Sequence, residues 1–111
     1  MSGGDMEQRK ESRIRIEYKV TLSFGSGRQK GEGTLINLTA SSCGVESAQK
    51  VKLGDHVWLR IFPADQGPAI TVESGAVRWV RGQDFGVEFT LIQPGEHERL
   101  RTLIHALPSH A

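Results

Sequence analysis

The sequence predicts a mainly β domain: six antiparallel strands closed into a barrel, followed by one C-terminal α-helix. Three observations lead there. Short alternations of apolar and polar residues recur between turn residues, the period-2 signature of half-buried strands. Helical spacing is confined to the last segment, where Leu100, Leu103, Ile104 and Leu107 share one face. The chain has 111 residues, enough for one core and not for two. Six strands in so short a chain hide their faces and edges most simply by closing.

Each element follows from its residues. Residues 1–6 read as a flexible start or a cloning remnant, set aside from fold reasoning. Residues 1–13 are polar and charged with both signs, and Met6 is the one apolar side chain after the start, so they read as an exposed arm or a short helical turn. In "YKVTLSF", Val20, Leu22 and Phe24 alternate with Lys19, Thr21 and Ser23, a first strand. "GSGRQKGEG" reads as a glycine-rich loop, "TLINL" as a second strand, "GVESAQ" as a third and "KLGD" as a turn. "HVWLRIF" places Val57, Leu59 and Ile61 on one face and Trp58, Arg60 and Phe62 on the other. "PADQG" turns the chain by its proline and glycine. "AITVESGAVRWV" is a long strand with Gly75 placed for a bulge or bend. After "RGQD", "FGVEF" sets Phe85, Val87 and Phe89 on one face. The helix spans 95–107, with Pro94 suited to its first position and Glu96 and Glu98 in the turn where the dipole favours anions.

Composition narrows the function. Hydrophobic residues make up 37% and charged residues 24% of the chain, a globular balance despite 13 glycines. The net charge is +1, which gives no global field for non-specific nucleic-acid binding. Anion recognition must come from a local arginine cluster. No apolar run approaches the ~18 residues that span a bilayer, and no signal peptide is visible. One cysteine excludes an internal disulfide and fits a reducing, cytoplasmic compartment. Location in the cytoplasmic part of a larger or membrane-bound protein fits equally.

Catalytic patterns are missing. His56, His97, His105 and His110 are scattered, with none at metal-ligand spacing, and Cys43 has no histidine close by in sequence. "GSGRQKGEG" lies between strands and opens no helix, unlike a phosphate-cradling loop. The chain is therefore expected to be no enzyme and to need no metal or cofactor.

Binding patterns are present. "RKESR" carries Arg9, Lys10 and Arg13, with Arg15 nearby, and guanidinium forks grip phosphates and the guanine edge. The bland alternative is a solvated charge run. "NLTASSCGVES" puts small hydroxyl and amide groups at a strand end, where a simple hairpin needs two turn residues. It reads either as a ligand-facing edge or as a polar bulge whose Ser and Thr serve local backbone groups.

The order of these segments resembles the PilZ family, the cyclic di-GMP receptor domains of bacteria. That family pairs an RxxxR arm with Asp or Asn, any residue, Ser, two of any kind, then Gly. Here "NLTASS" aligns as Asn37, Thr39 and Ser42, and "AVRWVRGQDFGVEF" matches through Ala76, Val77, Trp79, Gly86, Val87 and Phe89. The resemblance implies a barrel domain over 7–107, with an arginine arm at 7–15. It implies that Arg9, Lys10, Arg13, Asn37, Thr39 and Ser42 bind cyclic di-GMP, and that ordering of the arm is read by a protein partner or a linked signalling domain. No DNA or RNA partner and no membrane insertion are expected. Motility, chemotaxis and biofilm formation are among the outputs such domains serve. Ser42 stands where the pattern has Gly. If φ there is positive, serine costs on the order of 1 kcal/mol; if ligand approaches closely, serine crowds it. Weakened affinity is the expectation. Gln8 leans toward fewer arginine contacts than an intercalated ligand dimer uses.

Two further readings stand beside this one. The chain is alternatively a degenerate PilZ domain kept for protein contacts, or a small barrel binding RNA or single strands, which needs a basic groove with exposed aromatics. Trp58, Trp79 and Phe62 either offer surface to a partner or, as strand tryptophans more often do, fill the core.

Overall fold

In a computed structural model, residues 16–25, 29–63 and 67–107 are described. Strands β1 (Tyr18–Phe24), β2 (Gln29–Leu38), β3 (Ser42–Glu46), β4 (His56–Phe62), β5 (Ile70–Arg81) and β6 (Asp84–Leu91) precede helix α1 (Pro94–Ala106). They close into a barrel in the order β1-β2-β3-β6-β5-β4, and every neighbouring pair is antiparallel. The expected six-stranded barrel with a C-terminal helix is the fold observed.

Alternation builds the core as read. Val20, Leu22 and Phe24 of β1 face Val57, Leu59 and Ile61 of β4 across the closure, and all six are buried. Gly75 sits among register shifts to both neighbours, the bend its position suggested. The turns carry glycine where φ is positive, at Gly54 (89°) and Gly82 (62°).

Boundaries differ from expectation in two places. Strand β2 begins at Gln29, so much of "GSGRQKGEG" is strand and not loop. Its glycines are sites of close approach: a Cβ on Gly33 would stand 2.7 Å from the Glu46 carbonyl oxygen. Strand β3 begins and ends earlier than "GVESAQ". The buried Ser47 ends it, its hydroxyl donating to the Glu32 carbonyl at 2.6 Å and accepting the Gln49 N–H at 3.1 Å.

The helix starts at Pro94 and stops one residue before Leu107, its C-cap. It docks through Leu100, which is fully buried, with Leu103 and Ile104 against the same cluster. Burying one leucine is worth about 1.5–3 kcal/mol. Glu96 does more than complement the dipole: its carboxylate accepts the Thr71 N–H at 2.8 Å and the Arg99 guanidinium at 2.9 Å, tying the first turn to β5. Arg99 also donates to the Pro68 carbonyl. Among the described residues, no helix is long and apolar enough to cross a membrane.

Candidate functional site

The segment Asn37–Ser42 forms the tip of the β2–β3 hairpin. Only Ala40 and Ser41 separate Thr39 from Ser42, and the Thr39 N–H donates to the Ser42 carbonyl at 2.8 Å. The Thr39 hydroxyl accepts the N–H groups of Ser41 (3.2 Å) and Ser42 (3.0 Å) and shares a 2.9 Å hydrogen bond with the Ser42 hydroxyl. A side-chain oxygen thus does the work that a left-handed turn residue does in most two-residue hairpins. Glu17 is the only non-glycine residue with positive φ among those described. Ser42 therefore carries no left-handed strain, which leaves crowding as the remaining one of the two conditions; its hydroxyl, bonded to Thr39, occupies space at the tip.

A bulge aims Asn37. Leu35 pairs with Val45 but Asn37 pairs with Gly44, so Ile36 is an extra residue on β2. Plain alternation from the buried Leu35 would turn Asn37 inward. The bulge turns Asn37 out and Leu38 toward the core instead. The same device acts on β5, where Val77 pairs with Val87 and Trp79 with Gly86, leaving Arg78 extra. Trp79 is consequently 41% exposed, while Trp58, on the outward side of the alternating strand β4, is half-buried. Neither tryptophan fills the core, against the reading that favoured burial, and Phe62 is also exposed.

Gly44 pairs with Gly86, so Asn37, Gly44, Gly86 and Trp79 form one row across four strands on the outer face. A Cβ on Gly44 would lie 2.8 Å from Asn37 Nδ2, and one on Gly86 would lie 2.0 Å from Trp79 Nε1. The amide and the indole therefore lie down on bare backbone, and both residues remain exposed. Strand glycines mark such close approach, a signal that would have added Trp79 to the candidate residues. The adjacent row holds Thr39, Ser42 and Glu88, and the Arg78 guanidinium donates to the Glu88 carboxylate at 2.6 Å. Arg81 sits 5.9 Å from the Trp79 ring centre. The face thus offers an aromatic plane, an amide, hydroxyls and arginines.

A cleft of about 400 Å³ opens beside the tip, between Leu38, Thr39 and Ala40 on one side and His97, Arg101 and Ile104 on the other. Cys43 points inward, and burial pushes its thiol up to about 12, which makes it an inert core residue. No group of His, Cys, Asp or Glu able to hold a metal occurs among the described residues.

Asn37, Thr39 and Ser42 are thus brought together, while Arg9, Lys10 and Arg13 lie outside the described residues. The first described residues run beside this row. The Glu17 N–H donates to the Leu35 carbonyl at 2.7 Å, two residues from Asn37. Arg13 and Arg9 precede Glu17 by four and eight residues, contour lengths of up to about 14 and 28 Å.

A family model for the PilZ domain matches residues 7–106. Among solved structures, the PilZ domain of CeSA from a cellulose synthesizing bacterium aligns with a TM-score of 0.65 at 14% identity, over 84% of this chain and 94% of that one. The Bacillus subtilis inhibitor of motility, MotI/DgrA, aligns with a TM-score of 0.68 at 16% identity, over 84% of this chain and 47% of that one. This chain spans about half the length of the latter. At these identities the likeness is one of fold. No curated protein matches the chain.

Proposed function

This chain belongs to the PilZ domain family, a family of cyclic di-GMP receptors whose members regulate by binding, and from that membership we propose that it is itself a cyclic di-GMP receptor module. The observation that carries the proposal is the row Asn37–Gly44–Gly86–Trp79. Two facing glycines let a planar amide and a planar indole lie flat on the sheet. A guanine base has a π-face to lay on the indole and an edge that reads donors and acceptors like those of Asn37 and Thr39. Arg9, Lys10 and Arg13 supply the charge that two phosphates require, from an arm rooted beside that row.

Ligand then bridges arm and barrel. Residues 7–15 become ordered against the outer face, and a protein partner or neighbouring domain reads the new surface. No bond is made or broken, and the domain unit is 7–107. The cytoplasm is the proposed location.

Titration of cyclic di-GMP by calorimetry into the parent and Arg13→Ala tests this. Charge-assisted hydrogen bonds contribute about 1.5–3 kcal/mol, so Arg13→Ala weakens binding roughly 10- to 150-fold. Equal affinity in both would remove the arm from the site. Absence of binding by the parent would leave the second reading, a degenerate domain kept for protein contacts. One observation favours that alternative: the Thr39 and Ser42 hydroxyls are already bonded to each other at 2.9 Å.

A further inference from the structure

Glu88 borders both rows of the outer face. Across the sheet it pairs with Ser42 of the hairpin tip. Along β6 it stands two residues, about 7 Å, from Gly86, the glycine against which the Trp79 indole lies. Val87 is buried and Glu88 exposed, so the carboxylate is on the same outer side as that indole. The β5 bulge leaves Arg78 and Trp79 as consecutive exposed residues, and Arg78 Nε donates to Glu88 Oε1 at 2.6 Å. That bond holds the carboxylate in place, while Oε2 accepts no hydrogen bond among the described residues. With side chains 57% and 51% exposed, such a pair adds little to stability. Its chemistry is more telling. The Asn37 amide and the Thr39 and Ser42 hydroxyls both donate and accept, so they suit adenine as readily as guanine. A carboxylate only accepts.

We propose that Glu88 selects guanine, its carboxylate accepting the N1–H and N2–H groups of a base stacked on Trp79. This rests on the receptor reading above and adds to it the base preference of the site. Guanine carries two adjacent donors on its Watson–Crick edge, which a carboxylate takes as a pair. Adenine presents an acceptor, N1, at the corresponding place, so lone pairs face each other and the wrong base is repelled. The two-residue step from Gly86 to Glu88 is close to the length of a purine, which sets the base edge within reach of the carboxylate. Arg78 offsets the carboxylate charge, so an acidic group is tolerated beside a ligand that carries two phosphates.

Calorimetric titration of cyclic di-GMP and cyclic di-IMP into the full chain and its Glu88→Gln variant tests this. Cyclic di-IMP keeps N1–H and lacks the N2 amine, and thermal unfolding verifies that the variant is folded. Glu88→Gln is expected to weaken cyclic di-GMP binding about 10- to 100-fold, the loss of a hydrogen bond to a charged group. Cyclic di-IMP should lose a clearly smaller factor, with Tm unchanged to within about 5 °C. A merely solvated ion pair predicts the other sign, because removing a negative charge near two phosphates tightens both ligands or leaves both alone. Either of those results overturns the inference. So does an equal loss for both ligands, which would show that the amine is not read. If the parent binds neither ligand, the receptor reading falls and takes the selector with it. If the parent binds cyclic di-GMP and Glu88→Gln binds it equally well, the selector alone falls.

Discussion

Gly86→Ala separates the outer platform from the barrel that carries it. A Cβ at that position would lie 2.0 Å from Trp79 Nε1, 2.5 Å from Cε2 and 2.6 Å from Cδ1. Carbon contacts settle near 3.5–4.0 Å, so the indole must retreat by roughly 1.5 Å or rotate off the strip. The three nearest atoms all belong to a side chain that is already 41% exposed. Alanine in a strand recovers about 0.5–1 kcal/mol over glycine, which offsets part of the packing lost by the ring. Net stability should change by less than about 1 kcal/mol, a Tm shift within roughly 5 °C. Binding should suffer more, because stacking a base on an aromatic side chain is worth about 1–3 kcal/mol. Affinity for cyclic di-GMP is therefore expected to fall about 5- to 150-fold. The assay is calorimetric titration, with Trp emission measured in a Trp58→Phe background so that Trp79 reports alone. Gly33→Ala is the contrasting variant: its Cβ meets the Glu46 backbone oxygen at 2.7 Å, so it should lower Tm by clearly more. Refutation would be an emission shift showing that the indole has moved, together with unchanged affinity.

Three further outcomes follow from the same contacts. Ser42→Gly relieves no φ strain and removes the 2.9 Å hydroxyl bond to Thr39; it should cost about 1 kcal/mol in denaturant unfolding, and a gain in stability would contradict the hairpin geometry. The buried Cys43 thiol, pushed up to about 12, holds its proton in the folded chain at pH values where the unfolded chain has lost it. Stability is then full below the ordinary thiol range and declines above pH ~9, by on the order of 1.4 kcal/mol per unit at most; Cys43→Ala should flatten that part of the pH profile in urea titrations. Leu100→Ala empties a fully buried site beneath the helix and should destabilise by about 2–5 kcal/mol, seen as a matching loss of Tm.

The primary sequence determined the fold class and most of the core. Val57, Leu59 and Ile61 alternate cleanly and are buried, because a strand packed on one face sorts its side chains by parity. The helix declared itself by spacing, and its one fully buried residue, Leu100, lies on the stripe that spacing picked out. Family motifs placed Asn37, Thr39 and Ser42 on one segment. What parity cannot show is an extra residue. The bulges at Ile36 and Arg78 each reverse the side-chain sense of everything beyond them, and it is these reversals that bring Asn37 and Trp79 to the outside. Only the closed sheet sets Gly44 beside Gly86, residues far apart in the chain, and so creates bare backbone on which an amide and an indole can lie flat. The left-handed bend at Glu17 was equally invisible, since glutamate carries no local preference for it. It exists because Ile16 and Tyr18 are held on either side by the core, a constraint that the tertiary structure alone imposes.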